Sequence, residues 1–116
     1  MKRDMELTHL ILQAIEEYND PYGMENIPKI PNHQPISVSY HIKILADAGW
    51  IKAEPVVEFG TEFDEYRRIN LTNIGHDVLD KMNEDNKWDK FKGFLATTGK
   101  TFSLDLLLEY AKGLIQ

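Results

Sequence analysis

Apolar side chains recur every three or four residues between Asp4 and Tyr18. Leu7, Leu10, Ile11, Ala14, Ile15 and Tyr18 fall on one stripe of a helix over 4–18. Asp4 can accept the free N–H groups of the first turn, and Asn19-Asp20-Pro21-Tyr22-Gly23 stops the helix. Residues 24–35 hold Pro28, Pro31 and Pro35, too many for a regular helix. That stretch is expected to run extended or in turns, offering Ile27 and Ile30 to the core. A second stripe, Ile36, Val38, Ile42, Leu45 and Ala48, predicts a helix over 36–48 with Gly49 as its C-terminal cap.

From Trp50 the period shortens, and residues 50–59 and 65–71 predict two strands. Ile51 and Ala53 alternate with polar neighbours. In the second strand the two-residue period places Arg67, Ile69 and Leu71 on one face and Tyr66, Arg68 and Asn70 on the other. The connection Phe59-Gly60-Thr61-Glu62-Phe63-Asp64 contains the glycine that a hairpin loop needs, and Pro55 puts the first strand at an edge or a bulge. Thr72 reads as the N-cap of a helix through Ile74, Val78, Leu79 and Met82, which pauses near residues 83–86. Trp88, Phe91, Phe94 and Leu95 predict a further helix ended by Gly99. Ser103 starts a last one, with Leu104, Leu107, Leu108, Ala111, Leu114 and Ile115 on its buried side. No repeat or low-complexity stretch divides the chain. The expectation is one α+β domain over 1–116, a body at 1–85 and a helical extension at 86–116.

A length of 116 residues allows one modest core. No apolar run approaches 18 residues and none follows the charged start, so neither a membrane span nor a secretory signal is expected; the reading is a cytoplasmic protein. Cysteine is absent, which removes disulfides, thiolate metal sites and a cysteine nucleophile. The net charge of −6 is unevenly placed. Residues 36–85 carry five basic and ten acidic groups, whereas 86–116 carry five basic and three acidic. Nucleic-acid binders concentrate Lys and Arg on the contacting face, so an acidic middle changes how the hairpin is read.

The order helix, proline segment, helix, glycine turn, hairpin, helix is that of a winged-helix domain, with the hairpin as the wing. Tyr40-His41-Ile42-Lys43-Ile44-Leu45-Ala46-Asp47-Ala48-Gly49-Trp50-Ile51, then a hairpin, then Ile69 to Asp80 with its Leu71-Thr72-Asn73-Ile74-Gly75 run, resembles the pattern of many bacterial winged-helix regulators. Together with the opening Met1 to Leu7 and the run Asn86 to Lys92, these motifs are similar to one small domain-of-unknown-function family of bacteria and their phages. That resemblance covers nearly the whole chain. It implies a winged-helix fold with extra C-terminal helices, and no established activity or cofactor. Trp50, where a smaller Leu is usual, and the acidic loop at Glu62, Asp64 and Glu65 depart from the pattern.

Several motifs invite chemistry and fail on spacing. Ala96-Thr97-Thr98-Gly99-Lys100-Thr101 ends like a phosphate-binding loop, but that loop needs its first glycine at position 94, which is Phe94. His9, His33, His41 and His76 include no pair at the spacing of a helical zinc site, and structural or surface roles are expected. The carboxylate pairs Glu16-Glu17 and Asp64-Glu65 are expected in water, where nothing raises a carboxyl toward neutrality. Lys87, Lys90, Lys92 and Lys100 interleave with Trp88 and Phe91, which reads as a solvated face over core aromatics. No catalytic residue, cofactor or metal is expected, and the chain reads as non-enzymatic.

Two binding readings follow. In the first, the module acts by protein contact through Phe59, Glu62, Phe63, Asp64, Glu65 and Tyr66: some of the aromatics are expected to fold back onto the domain, and those left exposed, rimmed by acids, suit a basic partner. In the second, it is a transcription regulator on double-stranded DNA. Ser37, Ser39, Tyr40 and Lys43 would then face outward from the helix before the hairpin, and Arg67 and Arg68 would hold phosphates. Against the second, one Lys and no Arg is thin for a reading helix, and that helix can equally be a packing element with a solvated face. The wing arginines can also pair across the strands with the acids around them, Glu54, Glu58, Glu62, Asp64 and Glu65. Leu106 broadens the apolar arc of the last helix, so a homo-oligomer through the C-terminal helices stays open.

Overall fold

The computed structural model describes residues 1–57, 60–84 and 87–111, without the side chains of Lys87 and Ala111. In chain order its elements are α1 (Met5–Glu17), α2 (Pro35–Asp47), β1 (Ile51–Val56), β2 (Glu65–Leu71), α3 (Asn73–Asn83), α4 (Lys87–Thr98) and α5 (Leu104–Ala111). It is a mixed α+β fold in which a short antiparallel hairpin is flanked by helices.

Local signals start and stop the helices. The Asp4 carboxylate accepts the Leu7 N–H, Thr72 Oγ1 accepts the Gly75 N–H, and Ser103 Oγ accepts the Leu106 N–H. Helix α2 begins on Pro35, whose missing N–H costs nothing in a first turn. It ends in a Schellman motif: Gly49 turns left-handed (φ 81°), its N–H bonds the Ala46 carbonyl, and the Trp50 N–H bonds the Leu45 carbonyl. Trp50 then drops into the core. Its carbonyl accepts the Thr72 N–H at 3.0 Å, while the Thr72 hydroxyl donates to the Gly49 carbonyl at 2.6 Å. A Cβ on Gly75 would overlap the Trp50 carbonyl oxygen. The Leu71-Thr72-x-x-Gly75 run is therefore a stitch that lays the start of α3 on the end of α2.

The core is one cluster that takes Leu7, Ile11, Leu12 and Ile15 from α1, Val38, Ile42 and Leu45 from α2, and Val78, Leu79 and Met82 from α3. Phe91, Leu95, Leu104 and Leu107 of α4 and α5 belong to it as well. The buried stripe of α1 is rotated from the expected one. Leu10 and Tyr18 are exposed, and Thr8 is buried instead because its hydroxyl donates to the Asp4 carbonyl at 2.8 Å. Ile36, Ala48 and Ile74 were also expected inside and lie exposed.

In the hairpin, Ile51 pairs with Leu71, Lys52 with Asn70, Glu54 with Arg67 and Val56 with Glu65. Between the second and third of these pairs β2 advances three residues against two on β1, a bulge at which Arg68 adopts φ 51°. The extra residue resets the alternation. Tyr66 and Ile69 both point inward and Arg67 and Arg68 both outward, in place of the two-residue faces expected from the sequence. Ile69 also exchanges two backbone hydrogen bonds of 3.1 Å with Met24, so the proline segment borders β2 on its other edge. Among the described residues no helix is long and apolar enough to cross a membrane.

Candidate hairpin-loop interface

The loop between the strands is placed by α2. Ser39 is buried, and its hydroxyl donates to the Asp64 carbonyl at 2.5 Å, which ties the loop to the helix. An outward, base-reading Ser39 is thereby corrected: a serine that a helical wheel leaves free is the residue on which the loop lands. Phe63, half-buried, lies between two grooves. One, of about 550 Å³, runs between the proline segment and the hairpin, with Ile27, Ile30, Val38 and Tyr66 as its apolar lining and Lys29, His33 and Glu65 as its polar one. The other, of about 330 Å³, runs between α2 and the loop and is lined by Met1, Ile36, Tyr40, Lys43, Glu62 and Asp64, among others.

The protein-contact candidates thus converge on one feature. Glu62, Phe63 and Asp64 line the second groove, and Phe63, Glu65 and Tyr66 line the first. Tyr66 is buried rather than displayed, so it serves as a wall. Burial raises its phenol pKa, and the Asp64 and Asp47 carboxylates raise it further. Phe59 lies outside the described residues.

The DNA candidates are dispersed. Tyr40 and Lys43 share the second groove with Glu62 and Asp64, and Ser37 is half-buried with its carbonyl engaged by His41. Arg67 and Arg68 line neither groove. Their Nε atoms lie 3.4 and 3.8 Å from one Glu54 carboxylate oxygen, the cross-strand pairing expected from the sequence. Among the described residues, Lys43 and the two arginines thus each lie beside carboxylates, Glu62 and Asp64 in the groove and Glu54 on β1.

The sequence reading missed the proline-segment residues of the first groove, Met1 in the second, and the role of His41. His41 is buried between α1 and α2. The Asp4 N–H donates to its Nε2 at 2.8 Å, and its Nδ1 lies 2.7 Å from the Ser37 carbonyl. A carbonyl only accepts, so Nδ1 carries the proton and Nε2 the lone pair, which fixes one neutral tautomer. Burial lowers the His41 pKa and His33 adds to that, against the Ser37 carbonyl and the Asp4 carboxylate, which raise it. The signal was present in the sequence, since His41 falls between Val38 and Ile42 on the buried stripe. Among the described residues no group of three or more His, Asp or Glu could hold a metal ion.

No solved structure gives a significant match to the chain. An uncharacterized protein of Haemophilus influenzae is 34% identical over 118 residues, spanning 100% of this chain and 93% of its own length. Residues 2–101 match the family described as "Hypothetical protein (DUF2513)". With a match over most of its length and a relative of that similarity, the chain belongs to the DUF2513 family.

Proposed function

We propose that the chain is a non-enzymatic winged-helix module, an accessory or regulatory protein of a bacterium or phage, that works by protein contact through the hairpin loop. The winged-helix assignment rests on the element order, on the α2–hairpin–α3 stitch, and on the Met24–Ile69 bridge that adds a third backbone segment beside the hairpin. The partner it fits is a protein segment that alternates apolar and basic side chains. The observation that carries this reading is Phe63 between two grooves, rimmed by Glu62, Asp64 and Glu65, while Glu54 occupies both wing arginines. Such a rim repels a phosphate backbone and attracts Lys and Arg.

Fluorescence anisotropy with a dye-labelled peptide of alternating Arg and Leu, beside random duplex DNA, tests the reading. The peptide is expected to bind. Glu62→Gln, Asp64→Asn and Glu65→Gln together should weaken it about tenfold, or about 1.4 kcal/mol. Phe63→Ala, which keeps the charge, should weaken it as well. Duplex binding by the unaltered chain that falls steeply with added salt overturns the reading in favour of a DNA regulator using Tyr40, Lys43, Arg67 and Arg68.

A further inference from the structure

Met1, Lys2 and Arg3 precede the first apolar stripe, and the residue immediately after them, Asp4, is held by several hydrogen bonds. The Asp4 carboxylate accepts the Leu7 N–H at 3.1 Å, and its carbonyl accepts the Thr8 N–H at 2.9 Å. Its own N–H donates to His41 Nε2 at 2.8 Å. Both His41 ring nitrogens are committed, Nδ1 to the Ser37 carbonyl and Nε2 to Asp4, and the ring is 1% exposed. A proton on Nε2 would set one N–H against another, so protonation of His41 and the Asp4 bond exclude each other.

Met1 lies three residues before that bond, a reach of about 10 Å. Residues 1–3 run beside the second groove, which Met1, 65% exposed, lines together with Ile36, Tyr40, Lys43, Phe63, Glu62 and Asp64. The segment Met1-Lys2-Arg3 is itself apolar and then basic, with both cations exposed. It has the chemistry that the acidic loop favours in a partner.

We propose that Met1–Arg3 form a strap over the groove between α2 and the hairpin loop, closed by the Asp4–His41 bond, and that a basic partner segment enters when the strap lifts. This rests on the protein-contact reading of that groove and adds its regulation. The groups that face His41 are Asp4 from the N-terminal segment, His33 from the proline segment, and Tyr40 on its own helix, whose ring meets it edge-on with centroids 5.8 Å apart. Burial is the largest effect and disfavours the imidazolium, with His33 adding to it, while the Ser37 carbonyl and Asp4 favour it; the net lowering favours the closed latch until the solution is acidic.

The first half of the test needs no partner. With labelled methionine methyl groups in the full chain, nuclear Overhauser contacts from Met1 to the Tyr40 or Phe63 ring are expected at about pH 8, where histidine is neutral. They should disappear on acidification, together with the titration of the His41 ring resonances. The second half uses the Arg–Leu peptide. Deleting Lys2 and Arg3 shortens the strap but keeps Asp4 and its bond to His41. Peptide affinity should rise about fivefold, as for a site open about a fifth of the time. Lys2→Gln with Arg3→Gln, which removes charge at full strap length, should raise it less. A Met1 methyl with no ring contact while His41 is neutral overturns the strap. Ring contacts with unchanged peptide affinity in the shortened chain overturn the gating and leave the proposed function standing. Loss of peptide binding by every chain, the unaltered one included, overturns the proposed function and the gating with it.

Discussion

At the scale of single residues, two glycines in similar helical settings face opposite demands. Gly75 sits in the first turn of α3 with the Trp50 carbonyl where its Cβ would be, whereas Gly93, exposed in α4, has open space around it. The Trp50 carbonyl cannot retreat cheaply, because it already accepts the Thr72 N–H and Trp50 is locked into the core. Gly75→Ala is therefore expected to cost about 3 kcal/mol through overpacking. Gly93→Ala should gain about 0.5 to 1 kcal/mol from lower chain entropy in the unfolded state. Urea unfolding of the two variants checks both signs at once, and equal effects would mean that the stitch between α2 and α3 is not under steric pressure.

At the scale of elements, what was legible in the sequence was local. Asp4, Gly49, Thr72 and Ser103 mark helix ends by chemistry that acts within a few residues, and each stands where it was expected. What was not legible came from contacts distant in sequence. The bulge at Arg68 accompanies the bridge of Ile69 to Met24, and Gly23 beside it (φ 89°) leaves no room for a side chain against Asn70. Met24, in the proline segment, carries no strand-like pattern. Ser39 looked free because the loop that covers it lies 25 residues away. The bulge has a consequence for the wing: it turns both arginines outward onto Glu54, and all three side chains are about half exposed, with 52% for Glu54. Removing that charge should change stability by less than about 1 kcal/mol, since exposed pairs contribute little. Its effect on binding should be larger. Glu54→Gln frees two cations, and weak duplex binding at low salt is expected to appear, with a salt slope no steeper than about −2 for two phosphate contacts. Should the variant bind duplex no better than the parent chain, Glu54 is not what holds the arginines from phosphate.

At the scale of the whole molecule, the C-terminal helices share one core with the rest. Phe91 and Leu107 join the cluster built on α1 to α3, the Trp88 ring lies 4.7 Å from that of His9, and Lys92 Nζ lies 3.4 Å from the Glu6 carboxylate. A chain with one contiguous core unfolds as a unit, so a proton taken up at one buried site is charged against global stability. His41 is that site, because it joins the start of α1 to α2 through Asp4 and Ser37. Its pKa is lowered in the folded state, so the unfolded chain takes up the proton first as the pH falls. The His41 contribution is full above the ordinary histidine pKa of about 6.5 and is lost progressively as the pH drops from there toward the folded-state value. Urea midpoints measured from neutral to mildly acidic pH should fall over that window. His41→Gln, whose amide can still accept the Asp4 N–H, should be less stable at neutral pH yet lose less on acidification. A parallel decline in both proteins would place the acid sensitivity elsewhere in the chain and remove the energetic link between His41 protonation and release of the N-terminal segment.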